Sequence, residues 1–241
     1  MDNLARALPE REDRSRIAKQ AYRHFGISLF ELFKISRMSN RDIAARIHPH
    51  GMDRFETALA RGRGVIVVTA HFGNFDLQAV SQAAAGIPLA IVSRTLHGNG
   101  ANRFWMDTRK RSGLRIFPDV GAGRNILKWL RKGCVIGLTA DQRTSPHKGG
   151  IEADFMGHSA WTGTAPAALA LLSGAALIPA RLERRPDGDH DLLIEKELTM
   201  STRRTEESTR ELTERINQVI AGWVRNRPEQ YMWLHRRYRK Y

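Results

Sequence analysis

Five apolar runs that contain β-branched residues alternate with helix-like stretches along most of the chain, and this alternation constrains the fold more than any other feature. Consecutive strands that are joined through a helix pair in parallel, and the joining helices cover the faces of the sheet. The alternation therefore predicts an α/β fold with a mostly parallel central sheet and helices on both faces. The predicted strands span residues 64–71, 88–94, 114–118, 134–141 and 176–183.

Helices are predicted where apolar residues recur at a spacing of three or four. The first long helix covers residues 14–33, where basic residues occupy the face opposite the apolar stripe. Residues 191–198 follow the turn-like sequence RPDGDH, which favours an antiparallel hairpin with the preceding strand. The other predicted helices span residues 54–60, 74–84, 102–111, 123–131, 164–172 and 205–225, and residues 143–150 are predicted to form a loop.

The predicted elements form a single domain in which two regions differ in character. Residues 1–50 form an amphipathic helical region that we expect to lie near a membrane, and residues 51–241 form the α/β region. The net charge of +14 attracts polyanions such as nucleic acid, anionic lipid headgroups or an acidic protein. A span across a bilayer needs about 20 strongly apolar residues. No segment of the sequence meets this requirement, so we expect no transmembrane helix.

The sequence HFGNFD, residues 71–76, joins the first predicted strand to a helix. Gly73 permits a tight turn, Asn74 can cap the helix, and Asp76 falls within its first turn. If Asp76 accepts a hydrogen bond from one nitrogen of His71, the other nitrogen is available to remove a proton, as in a general base with its orienting acid. A capped helix beside a histidine with a purely structural role explains the same residues, and this turn alone leaves both interpretations open.

Three polar residues, His71, Arg94 and Asp141, lie at the carboxyl ends of predicted strands. Ligands of open parallel sheets bind beyond that edge, so these side chains mark a candidate site. The sequence contains no Gly-x-Ser-x-Gly motif of a serine hydrolase, and its histidines, cysteine and acids do not have the spacing of a metal site. We therefore predict neither a metal nor a cofactor.

Four segments in colinear order resemble the bacterial lipid A biosynthesis acyltransferases, the lauroyl and myristoyl transferase branch of the lysophospholipid acyltransferase superfamily. The first segment is HFGNFD itself. The second is SRTLHGNGANRFWMDTRKRSGLRI, residues 93–116, and the third, residues 139–180, contains the DQ, FMG and TG motifs. The fourth is RPEQYMWLHRRYR, residues 227–239, which matches the C-terminal signature of the family.

The resemblance implies a glycerolipid acyltransferase-like fold and an O-acyltransferase activity. The enzyme would move a fatty acyl chain from a thioester of acyl-carrier protein, or from acyl-CoA, to a hydroxyl group of a membrane glycolipid such as a lipid A precursor. His71 would be the general base, and Asp76 would orient it and stabilise its charge. The residues implied to bind substrate are Asn74, Arg94, Arg109, Arg111, Asp141 and Gln142.

Within that set, the resemblance implies two kinds of contact. Arg109 or Arg111, with Asn74 or nearby backbone amides, would donate hydrogen bonds to the oxyanion that forms at the thioester carbonyl. Asp141 would hold an arginine next to the site. Acyl-carrier protein, the phosphates of a lipid A precursor and an anionic membrane surface would all be attracted by the basic surface. The expected location is therefore peripheral, on the cytoplasmic face of the bacterial inner membrane.

Two features depart from the family pattern. The lipid A branch usually has glutamate where this chain has Asp76, and the shorter side chain favours a different glycolipid or a lysolipid as acceptor. The family also usually begins with an apolar anchor, which this sequence lacks. Either the protein is naturally peripheral or the anchor was trimmed from it, and the helix over residues 14–33 would then provide reversible attachment. A non-catalytic lipid- or nucleic-acid-binding protein is the remaining alternative, supported only by the charge. Nucleic acid is not expected, because the sequence contains no helix-turn-helix or RNA-binding signature.

Overall fold

A computed structural model describes residues 2–93 and 100–239 of the chain, apart from the side chain of residue 101. The α-helices of these residues are α1 (Asp2–Ala7), α2 (Arg14–Ile35), α3 (Asn40–Ala44), α4 (Met52–Ala60), α5 (Phe75–Ala84), α6 (Gly100–Arg111), α7 (Gly123–Leu130), α8 (Ala165–Ser173) and α9 (Glu206–Asn226). The strands are β1 (Ile47–His50), β2 (Val65–Thr69), β3 (Leu89–Ser93), β4 (Arg115–Pro118), β5 (Val135–Thr139), β6 (Gly150–Phe155), β7 (His158–Gly163), β8 (Ala176–Arg184) and β9 (His190–Ile194). Short 3-10 helices cover Pro146–Lys148 and Pro228–Gln230.

Seven of the described strands form one sheet in the order β1-β9-β8-β2-β5-β3-β4. β2 lies in the middle with β5 and β8 parallel to it on its two sides, and β3 and β4 continue the parallel set beyond β5. β9 folds back antiparallel to β8, and β1 pairs in parallel with β9 at the edge. The predictions of a mostly parallel sheet and of a hairpin after the fifth predicted strand are confirmed.

Helices cover both faces of the sheet, as the side chains of its central strand require. Successive residues of a strand point to opposite faces. Ile66 and Val68 of β2 pack in a buried cluster with residues of α7, α8 and α9. Val65 and Val67 pack in a second buried cluster with residues of α4 and α5. Because helices cover both faces of β2, the side chains of residues 65–68 are all buried, and the sequence of these residues is a continuous apolar run.

β6 and β7 form a separate antiparallel hairpin that was not predicted from the sequence. Its turn consists of Met156 and Gly157, which have positive φ angles of 57° and 84°. Two such residues form the tight turn that matches the twist of a hairpin. The segment over residues 143–150, predicted as a loop, contains a 3-10 helix and the first residue of β6. The alternation of apolar and polar residues in β6 is a strand signal, but it is short.

α2 packs along the body of the protein and is apolar on two faces. Ile17, Ala21 and Leu32 are buried, so much of the apolar stripe predicted over residues 14–33 is covered. A second apolar set stays exposed on the outer face of the helix. Among the residues that the structure describes, no helix is long and apolar enough to cross a bilayer. The exposed apolar residues of the outer face are Tyr22, Leu29, Phe30 and Phe33.

Candidate active site

The turn between β2 and α5 places His71 at the carboxyl edge of the sheet. Gly73 has a φ angle of +57°, and a Cβ atom there would lie 1.6 Å from the carbonyl oxygen of Leu182, so only glycine fits this position. Asn74 caps α5, since its side-chain oxygen accepts a hydrogen bond of 3.0 Å from the backbone N–H of Leu77. The predicted tight turn and helix cap are confirmed.

The imidazole of His71 is hydrogen-bonded to Asp141, with 2.8 Å between Nδ1 and Oδ1. The register of the sheet explains this pair, because Thr69 of β2 lies opposite Thr139 of β5 in parallel pairing. The two chains leave the sheet side by side, so residues 71 and 141 emerge together. Asp141 is only 2% exposed. The HFGNFD spacing predicts Asp76 in this role. The structure differs because the neighbouring parallel strand supplies the carboxylate that meets the ring.

Asp76 instead binds Arg109. Nε of Arg109 donates to Oδ1 of Asp76 over 3.0 Å, and Nη2 donates to the same oxygen. Nη1 donates to Oγ of Ser93 over 3.0 Å, and the guanidinium lies 4.3 Å from the centroid of the Trp105 ring. A buried guanidinium needs a nearby anion, and the first turn of α5 provides one. Arg109 is therefore held by Asp76, and Asp141 takes the place beside His71 that the family resemblance gave to Asp76.

The two carboxylates change the basicity of His71. Burial alone lowers the pKa of His71, but the charge and hydrogen bond of Asp141, with the charge of Asp76, outweigh burial and raise the pKa above 6.5. Burial likewise raises the pKa of Asp141, but the interaction with His71 outweighs it and holds the pKa below 3.8. Asp141 is therefore an anion at neutral pH, and His71 is a stronger base than an isolated imidazole.

The second ring nitrogen of His71 faces Gln142. Because Nδ1 donates to Asp141, Nε2 holds the lone pair and accepts from the amide nitrogen of Gln142, 3.2 Å away. Gln142 is exposed, so a hydroxyl group that donates to Nε2 can replace its amide. The arrangement places a basic nitrogen, oriented by an acid, where it can remove the proton of a hydroxyl group.

A cavity of about 410 Å³ opens beside the ring of His71 and runs along β2, β5 and β3. Its lining includes the apolar side chains of Val67, Leu89 and Ile91 and the polar side chains of Gln78 and Gln82. Gly137 of β5 also lines the cavity, and a Cβ atom there would come within 3.3 Å of Ile91. A largely apolar cavity that begins at a base suits a substrate with a hydrocarbon chain and a reactive group at one end.

Three residues implied to bind substrate are placed differently or not described. Asn74 is buried, and both ends of its amide are occupied, the oxygen by the helix cap and the nitrogen by Oε2 of Glu31 at 2.6 Å. Arg111 donates to the backbone carbonyl of Ser36 and lines a separate cavity between α6 and the turn from α2 to α3. Neither side chain is placed to donate to an oxyanion beside the base. Arg94 lies outside the described residues.

The C-terminal signature reaches the site through contacts that no local sequence pattern signals. The backbone N–H of Met232 donates to the carbonyl oxygen of His71 over 3.0 Å. Burial and the charge of Asp141 raise the pKa of the Tyr231 phenol well above 10, and the positive charge of Arg237 acts on that carboxylate. The C-terminal segment therefore contacts the backbone of His71 and lies against the acid that orients it. Across residues 2–93 and 100–239, no three histidine, cysteine or acidic side chains are grouped so as to hold a metal ion.

The sequence model of the family described as bacterial lipid A biosynthesis acyltransferase matches residues 1–240. The chain is similar to the lipid A biosynthesis lauroyltransferase of Escherichia coli (strain K12), with 26% identity over 98% of this chain and 77% of that protein. It is also similar to the phosphatidylinositol mannoside acyltransferase of Mycobacterium tuberculosis (strain CDC 1551 / Oshkosh), with 28% identity over 62% of this chain and 48% of that protein.

Among solved structures, the chain is similar to the 1-acyl-sn-glycerophosphate acyltransferase PlsC from Thermotoga maritima. The TM-score is 0.45 and the identity 14%, over 87% of this chain and 89% of that chain. Because the family match covers almost the whole sequence, this protein belongs to the bacterial lipid A biosynthesis acyltransferase family and is an enzyme that transfers acyl groups.

Proposed function

We propose that this enzyme transfers a fatty acyl chain from a thioester of acyl-carrier protein, or from acyl-CoA, to a hydroxyl group of a membrane glycolipid such as a lipid A precursor. His71 acts as the general base. The observation that supports this most strongly is the apolar cavity that begins at His71. Val67, another lining residue, lies in β2 four positions before His71, so the cavity extends inward along that strand. The hydrocarbon fits inside, and the thioester carbonyl is left beside the imidazole.

One proton moves through His71 during the reaction. The acceptor hydroxyl replaces the Gln142 amide at Nε2, and its oxygen attacks the thioester carbonyl carbon as Nε2 takes the proton. The tetrahedral intermediate then collapses with cleavage of the carbon–sulfur bond, and the imidazolium returns the proton to the departing thiolate. Asp141 stabilises the imidazolium between these two steps. Direct transfer of this kind forms no covalent acyl-enzyme.

Arg109 and Gln142 are the side chains best placed to stabilise the oxyanion. The bonds to Asp76 and Ser93 use three of the five guanidinium N–H groups of Arg109, and the side chain lines the same cavity as His71. The amide of Gln142, once displaced from Nε2, lies next to the reacting oxygen. One preorganised oxyanion donor contributes about 3 to 4 kcal/mol to transition-state stabilisation. The role of Asp76 is therefore to hold Arg109 in the cavity wall.

Two acceptor classes follow from the names of the relatives. One relative is a lipid A lauroyltransferase and another is a phosphatidylinositol mannoside acyltransferase. The family match over residues 1–240 favours a lipid A precursor as acceptor, and another glycolipid or a lysolipid is the alternative. The net charge of +14 favours substrates and carriers that are acidic, including acyl-carrier protein and phosphorylated lipids.

The enzyme works peripherally on an anionic membrane, at the cytoplasmic face of the inner membrane as the family resemblance implies. The outer face of α2 supports this, since Tyr22 is 63% exposed and Phe30 is 77% exposed. Every charged residue of α2 except Glu31 is basic, and Glu31 faces inward to Arg184. An apolar, aromatic stripe flanked only by basic side chains suits a surface of anionic lipid headgroups.

Mass spectrometry of the lipid products tests the proposed reaction. Acyl-carrier protein thioesters and acyl-CoA serve as donors, and a lipid A precursor, a phosphatidylinositol mannoside and a lysophospholipid serve as acceptors. We expect a glycolipid acceptor to gain the mass of one acyl chain. A gain on the lysophospholipid alone would identify the alternative acceptor class. No gain from any donor, combined with salt-sensitive binding of lipid or nucleic acid, would favour a non-catalytic protein.

Vesicle flotation tests the proposed membrane face without requiring turnover. In the double variant Phe30→Ser/Phe33→Ser, we expect binding to vesicles that contain phosphatidylglycerol to fall at least about tenfold, which corresponds to about 1.4 kcal/mol. Val120→Ser is the matched control, because Val120 is 78% exposed and lies outside α2, and its binding should match that of the wild type. Equal flotation of the double variant and the control would contradict the assignment of this face.

A further inference from the structure

Glu31 of α2 contacts the turn that carries His71. Its Oε2 atom accepts a hydrogen bond of 2.6 Å from the side-chain nitrogen of Asn74. Arg184 of β8 binds both carboxylate oxygens, with Nη1 on Oε1 and Nη2 on Oε2 at 2.7 Å. The Glu31 side chain is only 18% exposed. A carboxylate of α2 thus contacts both the cap of α5 and a guanidinium of the central sheet.

Gln230 links Arg184 to the turn that carries His71 through hydrogen bonds to both. The backbone N–H of Arg184 donates to Oε1 of Gln230 over 2.9 Å, and Nε2 of Gln230 donates to the carbonyl oxygen of Arg184 over 3.1 Å. The carbonyl oxygen of Gln230 accepts the N–H of Gly73 over 2.8 Å. The turn is therefore held on two sides, by Gln230 at Gly73 and by Glu31 at Asn74.

The contact with Glu31 decides how the amide of Asn74 is turned. Its oxygen caps α5 and its nitrogen donates to Glu31, so each end of a buried amide has one partner. Without an acceptor on the nitrogen side, the amide is left with an unpaired buried N–H group unless it moves. Because Asn74 lies three residues after His71, such a movement tilts the imidazole relative to the cavity.

Glu31 has no chemical role of its own in the reaction. It does not line the 410 Å³ cavity, and Arg184 and Asn74 occupy its carboxylate oxygens. Its charge is not among the leading causes of the pKa shift of His71. Removing it should therefore change where the base sits more than it changes the strength of the base.

We propose that Glu31 is a positioning residue for acyl transfer, which fixes the Asn74 amide and thereby the orientation of His71 toward the acceptor hydroxyl. The inference rests on the proposed role of His71 as general base. A displacement of about 1 Å at a reacting group lowers a rate by about a hundredfold. The loss of Glu31 should therefore act on kcat and leave substrate affinity and the pH dependence in place.

Glu31→Gln tests the proposal, because the one carbonyl oxygen of the glutamine is needed by the Arg184 guanidinium and its NH2 group cannot accept from Asn74. Glu183→Gln is the matched control. Glu183 is 15% exposed and paired with Arg181. The control therefore removes an ion pair that is buried to a similar extent and whose side chains do not contact the turn that carries His71. We expect Glu31→Gln to lower kcat about ten- to a hundredfold, with unchanged KM for the thioester and an unchanged acidic limb of the pH profile. The control should stay within about twofold of the wild type.

A double-mutant cycle with Asn74→Ser shows whether Glu31 acts through Asn74. Serine keeps a capping oxygen but lacks the N–H group that reaches Glu31. In the Asn74→Ser background we expect Glu31→Gln to lower kcat by less than about twofold, because the hydrogen bond between residues 31 and 74 is already lost. If the decrease in kcat of the double variant equals the product of the decreases in the two single variants, the proposal is overturned. If Glu31→Gln does not fold, Asn74→Ser breaks the same contact from the other side and carries the same expectation for kcat.

Hydrogen–deuterium exchange gives a readout that does not depend on turnover. Peptides covering residues 70–78 should exchange about tenfold faster in Glu31→Gln than in Glu183→Gln, since one of the two clamps on the turn is gone. If the wild-type protein shows no acyl transfer, the proposed function is rejected, but the comparison of hydrogen–deuterium exchange between the two variants can still be made. Equal exchange in the two variants, or equal kcat, would overturn the positioning role of Glu31.

Discussion

Replacing Asp141 by asparagine should remove most of the catalytic rate while the fold remains. The carboxylate lies 2.8 Å from Nδ1 of His71 and becomes an ion-pair partner once the imidazole has taken a proton. Two unit charges about 4 Å apart attract each other by about 4 kcal/mol at an effective dielectric constant of 20. This attraction develops as the proton moves, so it stabilises the transition state more than the ground state. A loss of about 4 kcal/mol corresponds to a decrease in kcat of about 10³-fold.

The same substitution should shift the pH dependence of the reaction. His71 acts as a base only in its neutral form, so activity rises as the pH increases through its pKa. Asp141 raises that pKa, and its removal therefore lowers it. The acidic limb of a pH–rate profile should move to lower pH in Asp141→Asn, while the plateau falls. Acyl transfer measured across the pH range records both effects in one experiment.

Two further aspartates make the test of Asp141 specific. Asp189 accepts a hydrogen bond of 3.1 Å from His48 outside the site. Asp189→Asn should therefore leave both kcat and the acidic limb of the pH–rate profile unchanged. Asp76→Asn should lower the rate through Arg109, and should move the limb less because Asp76 acts on His71 by charge alone. Full activity of Asp141→Asn, with the larger shift in Asp76→Asn, would refute the pairing of His71 with Asp141.

Three other substitutions test the cavity, the support of the acid and the turn. Gly137→Val narrows a wall where a Cβ atom already comes within 3.3 Å of a neighbouring side chain, so products from mixed thioesters should shift to shorter acyl chains by mass spectrometry. Tyr231→Phe removes the buried phenol group on which the charge of Asp141 acts, so the phenol dipole no longer offsets that charge and the acidic limb should move to higher pH. Gly73→Ala should lower the free energy of unfolding in a denaturant titration by about 3 kcal/mol or more, because a Cβ atom lies 1.6 Å from a carbonyl oxygen. An unchanged preference for acyl-chain length, an unchanged pH–rate profile or an unchanged unfolding midpoint would contradict the contact that the respective substitution tests.

Local sequence patterns were sufficient for six of the seven strands of the central sheet and for the turn that carries the base, whereas the edge strand β1 was not predicted. The apolar run of β2 is continuous because both of its faces are buried. Gly73 and Asn74 have the conformational and capping properties that a tight strand-to-helix turn needs. β6 and β7 were missed, because a single short hairpin gives little periodic signal and its turn depends on positive φ at Met156 as well as at a glycine.

The partner of the base was beyond local patterns, because it depends on strand order. His71 and Asp141 each lie at the carboxyl end of a predicted strand, so the sequence places both at the same edge of the sheet. Only the register of β2 against β5 sets them side by side. The same reasoning applies to Glu31 and Tyr231, which reach the site from α2 and from the C-terminal segment through tertiary packing. Contacts between distant segments are set by the packed fold and have no signature of their own in one sequence.

The most direct test of the proposed mechanism is a single-turnover measurement of acyl transfer by His71→Ala, with a labelled thioester and a lipid acceptor. His147→Ala serves as the control, since His147 is exposed in a 3-10 helix. A general base at position 71 predicts a decrease of about 10²- to 10⁴-fold in His71→Ala, an unchanged melting temperature, and full transfer by the control. Transfer at the wild-type rate by a folded His71→Ala enzyme would contradict the role of this histidine.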